Sequence, residues 1–235
     1  ETIGAQEVAE QTMQTAITVA GAAEASQEIK TEFVTLALAA MEREIARAPN
    51  DARLRMFMGG FLNRLGKFPE ALPHLEKAHE LSPNKQTIAF ELANTYFGVG
   101  KAAEAYALLK QAFESAPLFT GARIAYAISA IYSEKYEEAD ALFASTTSIT
   151  VRADDRLVKA YFEKGQYGRV VSLLKSRIEQ DPQNPQAHVS LAAAYLASGN
   201  RSSAVASLQK AIELNPDFKK QGEHYISEIR AGRNP

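Results

Sequence analysis

Cysteine is absent from this 235-residue chain, proline and glycine number only 9 and 13, and neither sign of charge dominates. Without cysteine there is no disulfide framework, no thiolate zinc site and no thiol nucleophile. The 26 Lys and Arg against 28 Asp and Glu leave a net charge of −2, so no basic excess seeks a phosphate backbone and nucleic acid is disfavoured as a partner. Long hydrophobic runs are missing too. The longest apolar stretch, Ala16-Ile17-Thr18-Val19-Ala20-Gly21-Ala22-Ala23, falls far short of the roughly 20 residues of a membrane helix, so no membrane insertion is expected. What remains is 46% hydrophobic and 23% charged, the balance of a folded chain rather than a disordered one. Residue 1 is Glu rather than Met, which suggests a processed chain or a piece of a longer one.

The few prolines and glycines act as punctuation. Pro49, Pro83 and Pro117 stand 34 residues apart, as do Pro182 and Pro216. Gly66 and Gly100 repeat that step, as do Gly165 and Gly199. In both series the middle gap is 65, one unit of 34 and one of 31. The chain is therefore a tandem array. Within each unit the apolar residues recur at helical steps: Leu92/Tyr96 and Leu191/Tyr195 in the first half, Ala105/Leu109/Ala112 and Ala204/Leu208/Ala211 in the second. Glycine falls between the halves, where a helix takes a left-handed terminal residue, and proline follows the second half, where a helix must stop. Small residues such as Gly59, Ala93, Ala127 and Ala192 let paired helices approach closely. Strand-like alternation is not apparent, so the fold class is all-α.

Leu191, Ala192, Tyr195, Gly199, Ala204, Leu208, Ala211 and Pro216 resemble the tetratricopeptide repeat. That resemblance implies a right-handed α-solenoid of helix hairpins, with units at 52–85, 86–119, 120–150, 151–184 and 185–218. The third unit loses its three residues at Ser145–Thr150. The fourth departs from the pattern, with Val158, Val170 and Arg177 where small residues are usual, and a change of superhelical angle is expected there. Residues 219–235 resemble a closing helix with Phe218, Tyr225, Ile226 and Ile229 on one face, ended by Gly232. Residues 1–51 form an atypical N-terminal helical segment and a degenerate first repeat. The run from Asn50 through Arg55, the join Leu81–Gln86 and the ending from Asn215 to Pro235 are also similar to the soluble repeat tails of O-antigen ligase-like bacterial membrane proteins. This likeness implies an extracytoplasmic or cell-surface setting, with a cytoplasmic one as the alternative, and carries no ligase chemistry into this chain.

Catalytic chemistry finds no constellation. His74 and His79 are five apart on different helix faces and lack an H-E-x-x-H arrangement, and His188 sits in a first-helix slot that is often aromatic in the resembled family, a structural place. No G-x-S-x-G elbow occurs, and the acidic pairs Glu137-Glu138 and Asp154-Asp155 suit helix starts. We expect no enzyme activity, no metal and no cofactor. In the resembled family, positions 5, 9 and 12 of each first helix face a concave groove. Here they include Met56, Phe90, Asn94, Phe97, Ile124, Ile128, Ile131, Phe162, Val189 and Leu196, an apolar surface densest in the second and third units. A groove of this kind takes an apolar peptide or helix. The family's carboxylate clamp is kept only at Asn94, Arg152 and Arg156, with Phe90 and Ala125 at two of its other slots.

Two function classes remain: a peptide-binding adaptor, and a structural module that associates end to end into an extracellular filament. The N-terminal stripe of Val8, Met13, Ile17 and Ala20 has no slot in the repeat pattern, so a second copy is expected to cover it, with fold-back onto its own chain as the competing outcome. Glycosylation is expected, if the chain is extracytoplasmic, at Ser145, Thr146, Thr147, Ser148 and Thr150 or at the Asn200 sequon.

Overall fold

A computed structural model describes residues 2–144 and 154–235, and all regular structure among them is helical. The helices pair in chain order: α1 (Thr2–Gly21) with α2 (Gln27–Arg47), α3 (Ala52–Arg64) with α4 (Phe68–Leu81), and α5 (Gln86–Gly98) with α6 (Ala102–Ser115). Then come α7 (Thr120–Tyr132), α8 (Tyr136–Ala144), α9 (Asp155–Glu163), α10 (Tyr167–Gln180), α11 (Pro185–Ala197), α12 (Arg201–Leu214) and α13 (Lys219–Arg230). The chain divides into two compact units, Glu1–Ser129 and Ala130–Pro235, with the boundary inside α7.

Local chemistry sets the helix starts. Ser26, Asp51, Asp154, Asn184 and Asn200 each accept a backbone N–H of the following turn, satisfying donors that a first turn leaves orphaned. The turns within hairpins share one backbone device. Gly66, Gly100, Gly165 and Gly199 take φ of 72°, 79°, 66° and 81°, and the next residue's N–H reaches back to a carbonyl five residues earlier. The third unit keeps this turn without a glycine: Glu134 holds φ at 61°, and Lys135 N–H donates to the Ala130 carbonyl at 2.8 Å. The missing glycine in the spacing is thus a side chain forced into the left-handed region, not a missing turn.

In the first unit the core runs through α1 to α5. Alanines close the helix crossings, and Met13, Met41, Leu54, Met58, Phe61 and Leu75 fill the space between them. This corrects the expectation that α1 lies outside the array. It takes the first-helix place against α2: Met13 is buried, Ile17 packs on the same core, and Ala20 is half-buried. Arg53 ties α3 to it through Glu10 at 2.7 Å. Only Val8 of the four stripe residues stands out, at 64% exposure. In the second unit Ile226 and Ile229 of α13 close the core over Ala192, Ala204 and Leu208. The shortened join at Ser145–Thr150 lies outside the described residues.

Candidate protein-interaction surface

The first helices of the first unit bring α3 and α5 side by side, and their shared edge is polar. Asn63 is buried, and its Nδ2 donates to the Glu91 carbonyl at 3.0 Å and to Glu91 Oε2 at 2.9 Å. The fully buried Thr95 hydroxyl donates to Asn63 Oδ1 at 2.7 Å. The Glu91 carboxylate lies next to Gly60 of α3, where a Cβ would meet Glu91 Cδ at 3.5 Å, an ordinary contact. Around this edge Asn94 is exposed, and Met56, Phe90, Phe97 and Ile128 are half-buried. Phe90 stacks on Phe119 with ring centroids 6.2 Å apart, and the adjacent Leu118 is 95% exposed. Ile124 and Ile131 are corrected from groove to core, being buried at 4% and 0%. The apolar density read from the second and third units is therefore partly core density.

In the second unit a crevice of about 900 Å³ opens between α9, α10 and α11. Its apolar lining includes Val158, Val170, Leu174, Ala187 and Ala193, and its polar lining Lys159, Gln180, Asp181, Asn184, Gln186 and Ser190. Phe162 stands at the mouth, 39% exposed, with its ring edge-on to Tyr167 at 5.2 Å. Arg177 closes one wall, donating to Asp155 Oδ1 at 2.6 Å and to the Asp154 carbonyl at 2.9 Å. The three larger residues that break the repeat pattern, Val158, Val170 and Arg177, all line this crevice. That departure was a sequence signal for the site, but it reads as a change of helix angle until the walls are seen. Val189 and Leu196, also assigned to the groove, are half-buried, and Leu196 packs on the core.

Of the clamp residues, Asn94 is exposed in the first unit. Arg156 turns back onto its own cap, with Nε and Nη2 at 2.9 and 2.7 Å from the Asp154 carboxylate, and that pairing holds Asp154 below the usual carboxylate range. Arg152 lies outside the described residues, as do the Ser/Thr acceptors from Ser145 to Thr150. Asn200 is exposed and its Oδ1 accepts from Ser203 N–H at 3.1 Å. Among the described residues no group of three or more His, Asp or Glu could hold a metal ion, and no helix is long and apolar enough to cross a membrane.

Comparison with known proteins gives the arrangement its kin. Two tetratricopeptide repeat family models match residues 22–85 and 161–221, and the model of subunit 3 of the anaphase-promoting complex, or cyclosome, matches 64–146. Tetratricopeptide repeat protein 37 of Xenopus laevis is 31% identical over 63% of this chain and 10% of its own length. A BBSome complex member BBS4 homologue of Drosophila melanogaster is 22% identical over 83% of this chain and 43% of its own. The chain thus spans less than half the length of either relative. A crystal structure of a tetratricopeptide repeat protein from Parabacteroides merdae superposes with a TM-score of 0.60 at 17% identity, covering 93% of this chain and 89% of that one.

Proposed function

Because this chain carries tetratricopeptide repeats and is thereby a protein–protein interaction scaffold, we propose that it acts as an adaptor, holding a peptide segment of another protein in the crevice of its second unit. The crevice between α9, α10 and α11 carries this reading. Its apolar lining and exposed Phe162 accept a side chain, while its polar lining offers donors and acceptors to an extended backbone. Each apolar side chain covered there contributes about 1.5–3 kcal/mol before the ordering costs of binding. Peptide-array binding to the full chain tests it. Ala193→Arg, which puts a long charged side chain into the apolar lining, should abolish capture of most binders, while Ser172→Arg, outside the crevice, should not. Capture unchanged by Ala193→Arg would overturn the assignment.

A second reading, end-to-end self-association, is favoured by one observation. The first hairpin leaves Val8, Ile29 and Leu36 at 64%, 46% and 54% exposure, and Val8 lines a crevice of about 390 Å³ between α1 and α2. A second copy docking there by a different face would build an open filament rather than a closed dimer. Light scattering on the Val8→Glu, Leu36→Glu variant decides: association in the unaltered chain that the variant loses supports this reading, and a monomer at high concentration removes it. An extracytoplasmic setting, as a domain belonging to or released from a membrane glycan ligase or polymerase, rests on the sequence likeness at Asn50–Arg55, Leu81–Gln86 and Asn215–Pro235 alone. Protease accessibility in intact cells tests it.

A further inference from the structure

Resting on the interaction-scaffold reading but on a different surface, we infer that Glu91 is a recognition point for a basic side chain of the bound partner. The Glu91 carboxylate is fixed before any ligand arrives. Oε2 is held by Asn63 Nδ2 at 2.9 Å, and Asn63 is itself fixed by the buried Thr95 hydroxyl at 2.7 Å. Oε1 has no hydrogen-bond or ion-pair partner among the described residues and is not sealed from solvent. The carboxylate lies over Gly60 of α3, where no side chain stands between it and solvent. A carboxylate with one oxygen anchored and one open accepts a guanidinium or ammonium N–H without paying the entropy of ordering a long side chain.

The surroundings fix the rest of the partner's chemistry. Met56, Gly60, Asn63, Phe90, Asn94 and Phe97, at the groove positions of α3 and α5, include no cation to compete for the open oxygen. One turn beyond Glu91, the exposed Asn94 amide is placed to meet a peptide backbone. On the other side the stacked Phe90 and Phe119 rings, with Leu118 beside them, offer an apolar seat. The partner that fits is a segment carrying Arg or Lys next to an apolar residue.

The probe is an array of heptapeptides with a fixed centre of Arg, Lys, citrulline or Glu and random flanks, applied to the full chain. Arg and Lys centres should be captured in preference to citrulline and Glu. Glu91→Gln keeps the shape and the Asn63 bond, and should weaken the best Arg peptide roughly tenfold, the scale of one charge-assisted hydrogen bond, with helicity unchanged. Capture without a basic preference, no capture at all, or a basic preference that survives Glu91→Gln would each overturn the inference. Ala193→Arg run in parallel keeps the two readings apart, since it closes the second unit's crevice and leaves the Glu91 preference intact.

Discussion

At the scale of single residues, two side chains sit where the backbone or the solvent disfavours them. Glu134 holds a left-handed φ of 61° at a turn where the four equivalent turns have glycine. The cost of that conformation for a residue with a Cβ is about 1–2 kcal/mol. Its ion pair with Lys164 at 3.2 Å is exposed on the Glu134 side and contributes little. Replacing it by glycine relieves the strain while adding unfolded-state entropy worth about 0.4–1 kcal/mol. Glu134→Gly should therefore stabilise the protein by about 0.5–1 kcal/mol in urea denaturation, and a loss would show that the Lys164 contact dominates. His74 is the second case. Burial and then the Arg55 charge lower its pKa below 6.5, opposed by Glu42, and its buried Nδ1 has no partner among the described residues. The native state thus binds its proton less readily than the unfolded chain, so this contribution to stability is present above about pH 6.5 and is lost as pH falls below it. Melting temperatures at pH 7 and pH 5 should differ less in His74→Gln than in the unaltered protein.

At the scale of elements, packing between helices decides what each segment is for. Met13 of α1 is buried against α2 and α3, so Met13→Ala should cost about 2–5 kcal/mol in the monomer. A helix serving only a second copy would show no such loss at low concentration. In the second unit α8, α9 and α10 are joined by a polar latch. The Tyr161 hydroxyl donates to Asp140 Oδ1 at 2.6 Å, Arg169 Nε donates to Asp140 Oδ2 at 2.8 Å, and the Arg169 guanidinium lies 5.2 Å from the centre of the Tyr136 ring. Burial and then this hydrogen bond push the Tyr161 phenol well above its ordinary range. Tyr161→Phe removes one bond and should cost about 0.5–1.5 kcal/mol in thermal or denaturant unfolding. Asp140→Ala leaves both donors without their acceptor and should cost more.

At the scale of the molecule, a repeat array is stabilised by neighbour contacts, so damage stays local. Leu75 lies in the core of the first unit and Leu208 in that of the second. Leu75→Ala should lower hydrogen-exchange protection in α3, α4 and α5 by an amount corresponding to about 2–5 kcal/mol, and leave α11 and α12 protected. Uniform loss across the chain would instead mark a single cooperative unit.

The helices and their spacing were written in the sequence, because periodicity, caps and turn glycines are local and act through the backbone itself. The 34-residue step places Gly66, Gly100, Gly165 and Gly199 at the hairpin turns, and Ile226 and Ile229 mark the buried face of α13 before any packing is known. Tertiary structure alone decided which apolar residues remain on the surface. Ile124 and Ile128 are one helical turn apart and chemically identical, yet one is core and the other half-buried, because that depends on which neighbouring helix covers each. The same holds for α1, whose alanine-rich sequence carries no repeat signature but whose fit against α2 does, and for Glu91, whose carboxylate is held by a buried amide of α3 that its own neighbours in sequence do not supply.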